Sequence, residues 1–222
     1  MSATNMYVAV IGDIIDSRSL NIRNQYQQQF KETLAYVNTT YHADIASRFM
    51  ITLGDGFQGL LLNGNNVMNI VLDIEEKMDP LRLRFGIGIG EVSTSIAAEN
   101  SAEIDGPVYH YAREMIENIE HKAIQRSQSQ SNMMIYSTEA TLAEDNLLNA
   151  ILSLCTAIKS KWSDRQKEII RAYRANENNQ NKTAQALNIA QSSVHRALHS
   201  ARYVTYATSI TTVSTVLKQR WE

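Results

Sequence analysis

Along residues 1–138, short apolar runs alternate with stretches in which apolar side chains recur every three or four positions. The short runs predict five strands: in MYVAVIGDII, on both sides of the Gly54-Asp55-Gly56 turn, in LRLRFGIGIGEV and in NMMIYS. The periodic stretches predict helices at residues 26–41, 67–74 and 108–123. The resulting order, β-α-β-β-α-β followed by α-β, predicts an α+β domain with a ferredoxin-like arrangement and an extension.

After residue 138 the apolar pattern becomes helical throughout. In residues 139–162 apolar side chains occupy more than one side of a long predicted helix: Leu147, Leu148, Ile151, Leu152, Leu154 and Ile158. A helix that is apolar on several sides is buried between partners. We therefore expect this segment to connect a domain of residues 1–138 with a domain of residues 163–222, and it is a candidate contact in a homodimer.

Residues 163–222 have the pattern of an all-α helix-turn-helix domain. Ser163 followed by Gln166 predicts a capping box at the start of a helix. Further along, Ala184, Leu187, Ile189 and Val194 have the spacing of two short helices packed around a tight turn. Asn188 stands where that turn needs a left-handed residue. The stretch resembles the helix-turn-helix of sigma-factor region 4 and related regulators.

The second short helix is predicted to begin near Gln191 and to place its first turns in the major groove of DNA. The candidate base-reading residues are Gln191, Ser192, Ser193, His195 and Arg196. The candidate phosphate contacts are Lys182, Thr183 and Arg202. The same pattern also fits an ordinary helical hairpin that contacts another protein.

The tail of the chain continues the helical spacing, with apolar residues at positions 203, 206, 210, 213, 217 and 221. We expect a terminal helix that dimerises or packs on the helix-turn-helix module. β-Branched residues are frequent in this tail, and their intrinsic propensity argues weakly against a helix.

Charge is distributed unevenly along the chain. Residues 1–155 carry 10 Lys and Arg against 19 Asp and Glu, whereas residues 156–222 carry 11 against 4. Such a split predicts an acidic front domain and a basic module that faces a polyanion, here DNA. The N-terminus lacks the pattern of a secretory signal peptide, and no apolar run reaches the ~20 residues of a membrane span. A cytoplasmic protein with no membrane contact is expected.

Two carboxylates stand at strand ends that a β-α-β-β fold brings together. Asp13 ends the first strand and Asp55 lies at the tip of the hairpin. Paired carboxylates suit Mg²⁺, which in turn holds the phosphates of a nucleotide. The segment that follows Asp13 offers free backbone N–H groups for phosphate oxygens at a helix start, with Ile14, Asp16, Ser17 and Arg18 as candidate ligand contacts. The alternative is that Gly-Asp-Gly forms only a plain turn.

The motifs IGDIIDSR, ITLGDGFQGLL, RFGIGIGE and DGPVYHYARE precede the helix-turn-helix pattern in that order. In content and order the chain resembles the SatD family of bacterial proteins across nearly its full length. The resemblance implies an N-terminal domain related to class III nucleotide cyclases and diguanylate cyclases. In that comparison Asp13 looks like the first metal-binding Asp of a cyclase, Asp55 looks like the second, and RFGIGIGEV resembles a conserved cyclase strand.

The resemblance to cyclases fails at other positions. His110 stands where a transition-state Asn would be, and Glu114 stands where an Arg would be, with Arg113 displaced by one residue. A shift of one residue rotates a helical side chain by about 100°. Ile51 occupies the place of a purine-selecting Lys. Since charge stabilisation at the reacting phosphate carries most of such catalysis, ordinary cyclase activity is not expected, although His110 and Arg113 stay candidate ligand contacts.

Three hypotheses follow. The first is a DNA-binding transcriptional regulator whose front domain senses a nucleotide or another phosphorylated ligand with Mg²⁺. The second is an enzyme, a divergent cyclase or nucleotidyl-transfer relative, with an appended helix-turn-helix. The third is an interaction protein in which the cyclase-like domain is only a dimerisation platform; retention of the Asp13 and Asp55 pair argues against it.

Overall fold

The computed structural model describes residues 6–15, 23–52, 55–124 and 131–221, and for residues 23–25 and 122–124 it describes the backbone alone. In this part of the chain the strands are β1 (Tyr7–Ile14), β2 (Ile45–Ile51), β3 (Gly56–Leu61), β4 (Leu83–Gly90) and β5 (Met133–Tyr136). The helices are α1 (Arg23–Thr40), α2 (Val67–Lys77), α3 (Pro107–Ile124), α4 (Leu142–Lys159), α5 (Asp164–Ala175), α6 (Gln180–Ala186), α7 (Gln191–Ser200) and α8 (Tyr203–Gln219). The α+β class predicted from the sequence is confirmed.

The strands form one sheet in the order β2-β3-β1-β4-β5. The pairs β1–β3, β1–β4 and β2–β3 are antiparallel, whereas β4 and β5 are parallel. The period-2 alternation of a strand sends neighbouring side chains to opposite faces. In β1, Ala9 therefore packs in a small cluster with α3, while Val8 and Val10 belong to the main core on the other face.

Helix α3 lies directly on β4 because glycine lets the two backbones approach closely. A Cβ added at Gly86 would lie 2.0 Å from the carbonyl oxygen of Ala112, and one added at Gly88 would lie 2.0 Å from that of Val108. The alternating glycines of RFGIGIG thus leave room for the backbone of α3 on one face of β4, while Ile87 and Ile89 fill the core on the opposite face. This close approach fixes the position of α3 over the strand ends.

The terminal helix α8 packs mainly on the front part of the chain. Its apolar side, predicted from the spacing, is buried: Tyr203, Tyr206, Ile210, Val213 and Leu217. That side contacts α2 and α4 as well as α7. One core cluster accordingly runs from Val8 in β1 to Leu217. The tail thus packs on α7, as expected, and also on α2 and α4, with α4 as its largest contact. Its role in dimerisation stays a prediction.

Hydrogen bonds secure the end of α8 to the front of the chain. The Nε1 of Trp221 donates to the backbone carbonyl of Met6 at 3.2 Å. Arg220 donates through Nη2 to Asp145 and to Glu144, each at 2.7 Å. Asp145 is buried and also accepts hydrogen bonds from the backbone N–H and the hydroxyl of Ser137.

No helix among the described residues is long and apolar enough to cross a membrane.

Candidate functional site

Asp13 occupies the end of β1, where its carboxylate meets an arginine from the neighbouring strand. Asp13 pairs with Arg84 in the β1–β4 register. Arg84 donates from Nε to Oδ1 at 2.8 Å and from Nη2 to Oδ2 at 2.9 Å, a two-pronged ion pair. The same Nη2 lies 2.9 Å from Oε1 of Glu120, near the end of α3. Arg84 thus bridges two carboxylates that come from a strand and a helix.

Asp55 adds a third carboxylate to this corner. Asp13 lies opposite Gly56 in the β1–β3 register, so Asp55, one residue earlier, borders Asp13. The pKa of Asp13 is raised mainly because the carboxyl is buried, and the charges of Glu120 and Asp55 raise it further, while Arg84 opposes both effects. The corner holds three acidic side chains and one arginine, so its net charge is negative when all four are ionised. The predicted approach of Asp13 to Asp55 is confirmed.

The carboxylates of this corner could hold Mg²⁺ only together with other ligands, such as water and phosphate. Among the described residues there is no cluster of three or more side chains arranged to hold a metal ion. Mg²⁺, however, is commonly held by one or two carboxylates, waters and the phosphates of a bound nucleotide. A carboxylate has about four lone-pair positions, and Arg84 uses two of those on Asp13. Asp13 and Asp55 therefore retain oxygen positions for a cation.

Most of the predicted contacts next to Asp13 fall outside the described residues. Asp16, Ser17 and Arg18 all do so. Ile14 is the last residue of β1 and its side chain is buried, so any ligand contact would come from its backbone. These four assignments stay predictions.

His110 and Arg113 lie away from the carboxylate corner within one chain. Both are in the first two turns of α3, whereas Glu120 is near its end. At 1.5 Å per residue His110 is about 15 Å along the helix from Glu120, and Arg113 is about 10 Å from it. His110 is exposed beside Asp105, with Nε2 3.6 Å from Oδ1. Arg113 is exposed over the ring of Tyr109. The structure does not bring either residue to Asp13.

The C-terminal helices have the local geometry that the sequence predicted. Ser163 and Gln166 form the predicted capping box at the start of α5. Asn188, between α6 and α7, has a φ of 51° in the left-handed region. Helix α7 begins at Gln191, as predicted, and buries Val194 and Leu198 against α5, α6 and α8.

The outer face of α7 is polar and accessible. Gln191, Ser192, His195 and Arg196 are exposed, and Ser193 is partly exposed. Lys182 is exposed and paired with Glu177 at 2.5 Å, and Arg202 is exposed at a left-handed position before α8. Thr183 is fully buried and donates its hydroxyl to the carbonyl of Asn179 at 2.7 Å. Its prediction as a phosphate contact is therefore wrong, because the hydroxyl faces the start of its own helix.

Much of the basic charge of residues 156–222 is used inside the molecule. Arg171 donates to Asp79 at 2.9 Å, and Arg174 pairs with Glu76 and with Asp73. The other basic residues in contact with acidic side chains of the front part are Lys159 with Glu75, Lys167 with Asp79, and Arg220 with Glu144 and Asp145. The acidic-to-basic split along the sequence, predicted to indicate a polyanion, is thus explained in good part by contacts between two segments of one chain.

Comparison with known proteins identifies the family. A model of the SatD family matches residues 7–217. The chain belongs to the SatD family. No curated protein matches the sequence.

Several solved structures have folds similar to part of this SatD-family chain. A bacterial light-regulated adenylyl cyclase is 14% identical over 59% of this chain and 74% of its own, with a TM-score of 0.42. The guanylyl cyclase Cya2 is 14% identical over 63% of this chain and 78% of its own, with a TM-score of 0.40. An EAL/GGDEF domain protein from M. capsulatus is 16% identical over 62% and 88%, with a TM-score of 0.35.

A cleft of about 1210 Å³ in the SatD-family protein lies between the sheet end and the C-terminal helices. Ile15, Arg82 and Arg84 line it on the sheet side. His195 and His199 of α7 line the opposite side. Arg84, but none of the three carboxylates of the corner, therefore borders the same space as the predicted DNA-reading helix.

Sequence reasoning missed Arg84 and Glu120, the two residues that connect Asp13 to α3. Arg84 stands at the start of RFGIGIG, and its polar side chain in an otherwise apolar strand was the available signal. A charged residue in a buried strand requires a partner. Glu120 carried no comparable signal, because acidic residues are common on an exposed helix face.

Proposed function

We propose that this SatD-family protein binds a nucleotide together with Mg²⁺ at the corner formed by Asp13 and Asp55. The observation that carries the proposal is the proximity of the two carboxylates at the ends of β1 and the β2–β3 hairpin. Their negative charge, only partly balanced by Arg84, suits a divalent cation. When bound, Mg²⁺ neutralises phosphate charge and orients the phosphates.

The strand order supports this placement. We assign the first four strands and the helices between them to a ferredoxin-like unit, with β5 as its extension, because β1 lies between β3 and β4 and is antiparallel to both. In this unit the end of β1 and the start of β3 are adjacent by topology. Asp13 is therefore held in the backbone ladders of β1 with β3 and β4, and Asp55 directly precedes Gly56, its ladder partner.

Turnover of the nucleotide is the alternative to simple binding. A divergent cyclase or nucleotidyl-transfer enzyme needs cationic groups at the reacting phosphate. Among the described residues Arg84 contacts the carboxylates directly, whereas Arg113 lies about two turns before Glu120 in α3. Chromatographic analysis of nucleoside triphosphates after incubation with the protein and Mg²⁺ separates an enzyme, which forms a cyclic or transferred product, from a sensor, which forms none.

The test of binding is isothermal titration of the full chain with a panel of nucleoside mono-, di- and triphosphates, with and without Mg²⁺. Binding is expected only with Mg²⁺, and Asp55→Asn and Asp13→Asn are expected to weaken it at least tenfold, or about 1.4 kcal/mol. Glu99→Gln, at an exposed pair with Arg48, is the matched control. Binding that persists unchanged in both Asp variants would exclude the proposed site.

DNA binding through α6 and α7 is a second candidate function. The exposed polar face of α7, with the left-handed turn at Asn188 before it, favours this candidate, since a recognition helix presents such a face to the major groove. We assign α5, α6 and α7 to a helix-turn-helix unit on this basis. The internal ion pairs of Arg171 and Arg174 weigh against it, because they remove cations from the surface that a phosphate backbone would contact.

Fluorescence anisotropy with a mixed-sequence DNA duplex tests this second function. Affinity should fall steeply with salt, and Arg196→Ala should weaken binding while Arg48→Ala, on the far sheet edge, should not. Equal effects of the two arginine changes, or no binding at low salt, would remove DNA from the partners of this protein.

A further inference from the structure

Helix α4 carries an apolar face that the described part of its chain leaves exposed. Leu147 is 68% exposed and Leu154 is 66% exposed, the largest values for any leucine among the described residues. Ile151 and Ile158 beside them are partly exposed. Two large side chains this accessible on one helix forgo several tens of Å² of burial each, at ~25 cal/mol for each Å². An occupant of this face would gain that free energy.

The exposed face repeats every seven residues. Leucine recurs at Leu147 and Leu154, and alanine recurs at Ala143, Ala150 and Ala157. Two apolar positions separated by alternating steps of four and three residues define the seam of a coiled coil. A strict seven-residue period keeps such a seam facing a second helix, and alanine at every seventh position lets the two helices approach closely. The pattern is that of a helix built to pair with another helix.

This seam is separate from the side of α4 that completes the fold. The opposite side buries Leu148, Leu152 and Cys155 against β5 and α8. It also anchors Asp145, the partner of Arg220. The seam of Ala143, Leu147, Ala150, Leu154 and Ala157 thus lies outside the side of α4 that the described residues bury.

We propose that the exposed face of α4 forms a homodimer by packing antiparallel against α4 of a second copy. Charge complementarity selects the second copy and its direction. Glu144 lies at the beginning of α4 and the exposed Lys161 lies just after its end, both flanking the apolar face. An antiparallel pair places each Glu144 opposite the partner's Lys161, giving two ion pairs, whereas a parallel pair would set like charges together.

The antiparallel register that joins these charges also aligns the apolar side chains. When the seam residues face each other, Leu147 lies opposite the partner's Ala157 and Ala150 lies opposite the partner's Leu154, which places Glu144 within one residue of the partner's Lys161. From Ala143 to Ala157 the seam spans about 21 Å at 1.5 Å per residue. Glu144 keeps its hydrogen bond to Arg220 in this arrangement, because its side chain is still 46% exposed.

The test is sedimentation equilibrium of the full chain over a concentration series of about 1 to 100 µM, the range in which a modest interface dissociates. The wild type is expected to show twice the 25.0 kDa mass of one chain at the upper concentrations. The double variant Leu147→Glu with Leu154→Glu is expected to be a monomer with unchanged thermal unfolding. Val204→Glu, which changes another highly exposed side chain, is the control and should remain dimeric.

Charge reversal tests the direction of the pair. Lys161→Glu should weaken the dimer about tenfold, whereas Lys161→Arg, which keeps the charge, should leave it unchanged; Glu144 is kept because it also accepts a hydrogen bond from Arg220. A wild type that stays monomeric throughout, or a dimer that survives both leucine changes, overturns the proposed face. If the two leucine changes abolish the dimer but Lys161→Glu has no effect, the antiparallel direction is wrong.

Discussion

Arg84 donates hydrogen bonds to both carboxylate oxygens of Asp13 across adjacent strands, at 2.8 and 2.9 Å. Side-chain exposure is 17% for Arg84 and 23% for Asp13, so the pair is largely removed from water. In such a setting the arginine compensates a desolvated negative charge, and removal of either partner leaves the other poorly solvated. The corner that we propose to bind Mg²⁺ is thus held in its present form by a cation that belongs to the chain.

Arg84→Met is expected to destabilise the protein by about 2 kcal/mol at pH 7, because Asp13 loses its compensating charge. Burial already raises the pKa of Asp13, so the folded state favours its protonated form. A raised pKa contributes stability at low pH that is lost as pH rises through the folded value. The deficit of the variant should therefore shrink as pH falls from 7 towards the ordinary Asp pKa of about 4.

Urea unfolding at each pH measures this deficit, and addition of Mn²⁺ provides an independent reading. If Asp13 and Asp55 hold a divalent cation, Mn²⁺ should stabilise the variant more than the wild type, because it replaces the missing positive charge. If the variant recovers stability at low pH but does not respond to Mn²⁺, the role of the ion pair is supported and the metal site is not.

Gly88→Ala should destabilise the fold by about 3 kcal/mol, because the new methyl group meets the backbone of α3 rather than a side chain that can rotate away. The added Cβ would lie 2.0 Å from the carbonyl oxygen of Val108. Gly90→Ala is the matched control on the same strand and face, since its Cβ would lie 3.2 Å from the nearest atoms. Thermal unfolding of both variants gives the comparison, and similar losses would mean that α3 does not rest on this strand as described.

Arg220→Met is expected to lower the free energy of unfolding by about 3 kcal/mol, because Asp145 is buried and loses a charged partner. The control is Arg48→Met, which breaks an exposed pair with Glu99 and should change stability by less than about 1 kcal/mol. Equilibrium urea unfolding measures both changes. A loss no greater than that of the control would show that the end of α8 is not held through Asp145.

Alkaline pH should destabilise the protein in part through Tyr41. Burial, together with a 2.8 Å hydrogen bond donated to Asp73, raises the pKa of the Tyr41 hydroxyl well above its usual value. The stability from this group is complete below the ordinary tyrosine pKa of about 10 and is lost as pH rises above it. Tyr41→Phe should cost about 1 kcal/mol at pH 7 and should make the alkaline decline shallower. Urea unfolding from pH 7 upward measures both effects. Parallel stability curves for the variant and the wild type would contradict the assignment.

Elements with strong local patterns were predictable from the sequence. The apolar run of β1, the periodic helix α3 and the glycine-rich strand β4 all occur where their patterns placed them. The left-handed Asn188 and the capping box at Ser163 were also predictable, because each depends on a few neighbouring residues. The approach of Asp13 to Asp55 followed from the order of strands alone.

Contacts set by the register of distant segments were not predictable. The ion pair of Asp13 with Arg84 joins residues 71 positions apart and requires the exact alignment of β1 with β4. The basic residues of α5 met the acidic face of α2, a choice of partner that net charge cannot reveal. Thr183 looked suited to a phosphate, but its hydroxyl was taken by its own helix.

The last helix also bears on the order in which the chain can be completed during synthesis. Val213 and Leu217 belong to the same core cluster as Val8, and Trp221 bonds to the carbonyl of Met6. Synthesis runs from the N-terminus, so β1 leaves the ribosome well before these residues do. The apolar surface of α2 and α4 that α8 covers must therefore stay open until α8 has been synthesised, and a nascent chain stalled before α8 would expose that surface to chaperones.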